Sequence, residues 1–291
     1  MIYHSIVSQN DVAAHFDDPQ WVFIDCRFSL ADTDRGQAAY QQSHIPGAVY
    51  AHLDHDLSGT VIPGETGRHP WPSPEAFAAT CSAWGIDGAS QVVAYDDFGG
   101  AIAARLWALL RWLGHEAVAV LDGGWPRWDA EGRPVRGGTE HRAPRAFIPH
   151  PDPALLVSTE EVAGRAPDIL LLDARAHERY LGLVEPIDPV AGHIPGAYSA
   201  PFGENLDEHG CFLPPDQLRD RFDSVLRDTP VEKVICYCGS GVTANHNRLA
   251  MAYAGMGLPM LYPGSWSEWI TSRERPMVTG DHDTESLVLP D

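Results

Sequence analysis

Residues 234–244 read Val-Ile-Cys-Tyr-Cys-Gly-Ser-Gly-Val-Thr-Ala. An apolar, β-prone run ends at Cys238, two glycines follow within three residues, and helix formers continue from Ala244 to Ala254. The pattern predicts strand, tight loop and helix, with a cysteine where the strand turns. A helix N-terminus presents unpaired N–H groups and about half a positive charge, so it stabilises an anion beside it. Thiolate is the nucleophilic form of cysteine, and this placement can pull its pKa down from about 8.5. Gly239 and Gly241 let the backbone curl so that its amides converge on an anion. A plain buried cysteine at a strand end is the competing reading; the glycines and the helix favour a reactive thiol.

Working outward, the chain repeats itself. Ile24-Asp25-Cys26-Arg27 is echoed by Leu172-Asp173-Ala174-Arg175 at an offset of 148. His44-Ile-Pro-Gly-Ala48 returns letter for letter as His193-Ile-Pro-Gly-Ala197, 149 residues on. Val92–Tyr95 matches Val234–Tyr237 at 142, and Trp125 and Trp128 match Trp266 and Trp269 at 141. Four landmarks in one order with slowly drifting offsets indicate a duplicated domain. Each copy alternates strands with helices, Ala101–Leu113 and Ala244–Ala254 being the helices after the loop and Val118–Leu121 and Met260–Tyr262 the strands that follow. This rhythm predicts an α/β fold, a parallel sheet flanked by helices, in each copy. The Asp-x-Arg and His-Ile-Pro-Gly pieces and the four tryptophans read as structural: a local ion pair, a rigid turn and packing. Residues 1–140 form the first predicted domain, 141–155 a proline-rich linker, and 156–291 the second. The polar, acidic tail from Thr279 is expected to pack weakly.

Composition narrows the function classes. The 291 residues carry 20 basic and 40 acidic side chains, a formal net charge of −20. Nucleic acid and anionic membrane surfaces are therefore excluded as expected partners. No apolar run approaches the roughly 20 residues of a membrane span, and the N-terminus does not read as a secretory signal. Five scattered cysteines do not form a disulfide framework, which suggests a reducing, cytoplasmic setting. No Cys/His cluster has zinc-site spacing, and no metal or organic cofactor is expected.

The two copies differ at the loop. Aligning Tyr95 with Tyr237 puts Asp96 opposite Cys238. The first copy thus lacks the nucleophile, and its expected role is to support the second. A cysteine in such a loop serves two reaction classes. Phosphate transfer needs an arginine at the end of the loop, where this chain has Ala244 and Asn245 and reaches Arg248 only inside the helix. Sulfur transfer fits better, with the loop amides holding a terminal persulfide.

The duplication, the two His-Ile-Pro-Gly-Ala segments and Cys238-Gly-Ser-Gly-Val-Thr243 together resemble the tandem-domain rhodanese family, and the loop is similar to that of its 3-mercaptopyruvate sulfurtransferases. The resemblance covers about residues 5–275. It implies two tandem rhodanese-like domains, the first inactive, with Cys238 cycling through a persulfide. It implies that Arg179 binds the donor carboxylate and that Gly239, Ser240, Gly241, Val242 and Thr243 line the site. It also implies that Asp54 and His69 form an acid–histidine pair acting on Ser240. A second arginine, common in the family near what is here Glu185-Pro-Ile-Asp-Pro189, is missing from that segment. The expected partners are a small sulfur donor, a thiol or cyanide acceptor and a thioredoxin-like reductant. Thiosulfate as donor, and a persulfide carrier serving a protein partner, stay open as alternatives. Cys236 is the next candidate nucleophile after Cys238.

Overall fold

A computed structural model describes residues 2–282 and the backbone of 286–287. Contacts within the chain group it into two units, 1–59 with 72–153 and 206–212, and 60–71 with 154–205 and 213–291. Two short stretches are therefore housed away from their sequence neighbours. Thr60–Trp71 belongs to the second unit, and Leu206–Phe212 to the first.

In the first unit, β1 (Ile6–Val7), β2 (Trp21–Asp25), β3 (Val49–Tyr50), β4 (Gln91–Tyr95) and β5 (Val118–Leu121) form one parallel sheet in the order β1-β5-β4-β2-β3. The unit's helices are α1 (Gln9–Ala13), α2 (Arg35–Gln42), α3 (Pro74–Ala83), α4 (Ala103–Trp112) and α5 (Gly124–Ala130). Strands β2 and β4 are buried at every position. That is why they read as continuous apolar runs instead of alternating: parallel strands are covered on both faces. Residues 137–152 contain neither helix nor strand, and His150 and Asp152 bind back to the carbonyls of Leu113 and Trp112 at 2.9 Å.

The second unit repeats the plan. Its helices are α6 (Thr159–Ala163), α7 (His177–Tyr180), α8 (Pro215–Leu226), α9 (Ala244–Tyr253) and α10 (Ser265–Trp269). Strands β6 (Leu170–Asp173), β7 (Ala197–Ser199), β8 (Val234–Tyr237) and β9 (Met260–Leu261) make a parallel sheet ordered β7-β6-β8-β9, and a parallel bridge from Leu156 to Leu261 extends it. A separate antiparallel pair joins β10 (Val278–Thr279) and β11 (Ser286–Leu287). The rest of the acidic tail, 283–285 and 288–291, lies outside the described residues.

The repeated motifs do the same structural work in both units. Arg27 binds Asp25 through Nε and Nη2, and Arg175 binds Asp173 in the same way, all four side chains being buried. Breaking such a buried pair on one side costs about 3–5 kcal/mol. His44 and His193 each bond through Nδ1 to a tyrosine carbonyl at 2.7 Å and stack on that tyrosine. Gly47 and Gly196 close the turns with φ of 78° and 72°. The five cysteines are free thiols, and among the described residues no helix is long and apolar enough to cross a membrane.

Candidate functional site

Strand β8 is central in its sheet, and the chain leaves it at Cys238. Open α/β sheets place ligands beyond the carboxyl ends of their strands. Cys238 is buried, and its N–H donates to Ser265 Oγ at 3.1 Å, while its carbonyl accepts from Trp266 N–H at 3.0 Å. Ser267 N–H donates to the Gly239 carbonyl at 2.8 Å. The Cys238 loop is thus pinned to the start of α10. Ser265 sits at φ 56°, a left-handed backbone that a residue with a side chain adopts only at a cost, and its hydroxyl donates onward to the Tyr262 carbonyl. Gly241 has φ 71°, and a Cβ there would lie 2.2 Å from the Pro263 carbonyl oxygen, so no other residue fits. Asn245 Nδ2 donates to the Gly241 and Val242 carbonyls and closes the loop onto α9, with Thr243 at the helix cap. Arg248 donates to Asn245 Oδ1 and to the Pro259 carbonyl, bracing the start of the helix. Cys236, two residues before Cys238, is buried within β8, which pushes its thiol up to about 12. A raised thiol pKa disfavours the thiolate, the nucleophilic form.

The segment 60–71 delivers two side chains. His69 Nδ1 lies 2.8 Å from Ser240 Oγ, both groups being buried. The segment is seated by Arg68 N–H on Ser267 Oγ at 3.1 Å, and by Gly67, where a Cβ would come within 2.7 Å of the Gly264 carbonyl oxygen. Arg68 also sends its guanidinium toward the cysteine loop. A methyl group on Gly239 would stand 3.1 Å from Arg68 Nη2, 3.6 Å from Arg179 Nη2 and 3.7 Å from Arg179 Nη1. The site therefore has two arginines. The second comes from 171 residues before Gly239, and not from the segment after Arg179 where the resemblance looks for it.

That later segment instead supplies carboxylates. Arg179, on α7, binds Glu185 through Nε at 3.1 Å and Nη2 at 2.7 Å, and reaches Asp188 at 3.2 Å. Arg68 Nη1 binds the other oxygen of Asp188. Burial pushes the Glu185 carboxyl up, but Arg179 and the N–H groups of Asp188 and Ile187 outweigh it and hold it below its ordinary value. Burial dominates at Asp188 and raises its carboxyl. Asp54 lies in the first unit, in the turn after β3, where its N–H donates to His52 Nδ1 at 3.1 Å.

Residues 8–131 and 158–272 both match the rhodanese-like domain. This chain belongs to the rhodanese family. The chain is 50% identical over 95% of its length to a Pseudomonas aeruginosa protein named probable 3-mercaptopyruvate sulfurtransferase, covering 98% of that relative. It is 34% identical, over 94% of its length and 77% of the relative, to the thiosulfate/3-mercaptopyruvate sulfurtransferase 1 of Arabidopsis thaliana. Among solved structures it superposes on the 3-mercaptopyruvate sulfurtransferase of Leishmania major with a TM-score of 0.81 and 31% identity, covering 91% of this chain and 74% of that one.

Sequence reasoning passed over Arg68, Ser265 and the carboxylate partners of Arg179. One signal was available: the tryptophan offset of 141 sets Ser265 opposite Gly124, a small residue exchanged for a hydroxyl beside the cysteine.

Proposed function

We propose that this rhodanese moves a sulfane sulfur from a small anionic donor, 3-mercaptopyruvate first, through a persulfide on Cys238 to a thiol or cyanide acceptor. The observation that carries the reading is the pair of guanidinium groups, Arg68 and Arg179, beside Gly239, next to a cysteine at the mouth of a strand–loop–helix turn. A guanidinium fork suits a carboxylate, and two of them orient it. The donor's sulfur then lies against Cys238. The thiolate forms an S–S bond to that sulfur, the donor's C–S bond breaks, and its electron pair leaves on pyruvate enolate. The proton of the donor's thiol ends on the enolate carbon, giving pyruvate and Cys238 persulfide. Ser240, oriented by His69, offers a hydroxyl to the carbonyl oxygen as charge builds there. Cyanide takes the outer sulfur as thiocyanate, or a thiolate takes it as a persulfide, and the Cys238 thiolate returns.

Thiosulfate would set its sulfonate oxygens on the same arginines, so the ratio of kcat/KM for the two donors decides between them. A reducing cytoplasm and a thioredoxin-like acceptor are part of the proposal. So is the role that the resemblance assigns to Asp54, for which Asp54→Asn with normal kcat would count against it.

Intact mass after exposure to 3-mercaptopyruvate should show one added sulfur, roughly 32 Da, on Cys238. Cyanide should remove it as one equivalent of thiocyanate. An unmodified protein that turns over no donor would end the reading. Each of Arg68→Lys and Arg179→Lys should raise KM about 10- to 100-fold, the loss of one charged hydrogen bond.

A further inference from the structure

The two arginines of the donor site are not left as bare positive charge. Asp188 stands between them, its side chain only 2% exposed, with one oxygen on Arg68 Nη1 and the other on Arg179 Nη2. Arg68 thus has a satisfied Nη1 and an Nη2 beside Gly239, while both Nη nitrogens of Arg179 lie near Gly239, Nη2 being the one that also binds the carboxylates. The carboxylate has little freedom to swing away. Pro186 and Pro189 flank it, and the N–H groups of Ile187 and Asp188 both donate to Glu185 Oε1 at 3.0 Å, tying the turn to its own acid. The charges also balance. Arg68, Arg179 and Arg175 face Asp188, Glu185 and Asp173, Arg175 lying 3.4 Å from Glu185 and 2.5 Å from Asp173. Among these six side chains the formal charges cancel.

We propose that Asp188 is a fixed counter-charge that makes the donor site favour monoanions, such as a 2-oxo monocarboxylate, over dianions. The inference rests on the donor-site reading above and deepens it. The physical reason is the scaling of Coulomb repulsion with ligand charge. A carboxylate at a set distance penalises a dianion twice as heavily, in free energy, as a monoanion. Guanidinium hydrogen bonds, by contrast, serve both kinds of oxyanion. If removing the Asp188 charge tightens a monoanion by some factor, it tightens a dianion by that factor squared. Asp188 is in this sense a specificity-determining residue that need not touch the reacting sulfur.

The test uses inert anions and the full-length protein. Pyruvate and sulfate are titrated at constant ionic strength for protection of Cys238 against alkylation by neutral iodoacetamide, giving a Kd for each. In Asp188→Asn, which keeps the shape and one acceptor, the pyruvate Kd should fall about five- to tenfold and the sulfate Kd by the square of that factor. In Asp188→Glu, which keeps the charge, the ratio of the two constants should stay at the wild-type value. Both constants come from one sample, so a partly unfolded fraction cancels in the ratio. An unchanged ratio in Asp188→Asn, or an equal loss of both affinities, would overturn the proposal and leave Asp188 as a brace for the arginines. The same shift in Asp188→Glu would also overturn it, because packing and not charge would then be the cause. If neither anion protects Cys238 in the wild-type protein, the donor-site reading fails with it.

Discussion

The loop after β4 and the loop after β8 are counterparts, the first closed around a buried carboxylate and the second carrying a thiol at the same place. In the first unit Asp96 fills the loop itself. Its Oδ1 accepts from the N–H groups of Phe98 and Gly100 and its Oδ2 from those of Ile102 and Ala103, all at 2.8 Å. Burial pushes this carboxyl up, and the four donors hold part of the rise back. In the second unit Cys238 occupies the corresponding place, with Gly239 and Gly241 shaping the curl. The bond count explains the relation between them. Three bonds separate the Cα of an aspartate from its carboxylate oxygen, and three bonds separate the Cα of a cysteine persulfide from its outer sulfur. On the cycle proposed above, Asp96 would be a permanent copy of the persulfide state, a comparison that the following variants test. An anion fixed by covalent bonds cannot be passed on. Exchanging carbon and oxygen for sulfur turns a structural plug into a carrier.

The sharpest way to break this comparison is to make the second loop like the first. Cys238→Asp should abolish sulfur transfer, about a 10³-fold loss or more, while the midpoint of urea unfolding stays level or rises, because the new carboxylate finds amides already placed for it. An aspartate variant that unfolds readily would mean that the second loop is not a preformed anion nest. The converse change empties the first. Asp96→Ala leaves four inward N–H groups without their acceptor, each costing about 1–3 kcal/mol if water does not reach it. At least about 3 kcal/mol of stability should be lost, read from urea unfolding. A loss below about 1 kcal/mol would show that the four bonds are not what holds that loop.

How much of this could be read in advance follows from how far apart the partners lie in the chain. The duplicated α/β fold was legible because buried parallel strands leave apolar runs, and because Asp-x-Arg and His-Ile-Pro-Gly recur with their partners close by, as in Arg175 on Asp173. The strand–loop–helix around Cys238 was legible for the same reason, its apolar run, glycines and helix formers lying within a few residues. Arg68 was not. Nothing around Arg68 says that residues 60–71 join the second unit, so the chain looked one arginine short when the guanidinium arrives from another segment. The pairing of Arg179 with Glu185 and Asp188 was hidden differently: six and nine residues apart, with Pro186 between the two acids, they fit no helical or strand spacing. The contact of His69 with Ser240 reached the reading only through family resemblance, and geometry within the second unit now supplies it directly.

The smallest expected effect concerns Ser265. Its counterpart Gly124 has φ 52° and Ser265 has φ 56°, and both precede a tryptophan whose N–H binds the carbonyl of the loop's first residue, Asp96 or Cys238. A glycine takes that backbone without strain, whereas a serine gives up about 1–2 kcal/mol. The return is a hydroxyl that accepts from Cys238 N–H and donates to the Tyr262 carbonyl. Replacing Ser265 by glycine removes strain and hydroxyl together, so stability should change by less than about 1 kcal/mol. Replacing it by alanine removes the hydroxyl and keeps the strain, so the alanine variant should be less stable than the glycine variant by about 1–2 kcal/mol. Turnover should respond differently, because both variants lose the group that fixes the Cys238 backbone. Each should lose about 10- to 100-fold in kcat/KM, the size expected for a nucleophile displaced by a fraction of an ångström to an ångström. Equal stability of the two variants would deny the strain, and full activity in the glycine variant would deny the hydroxyl its positioning role. Should both hold, the second unit keeps a strained serine where its twin keeps a relaxed glycine because only the second has a sulfur to aim.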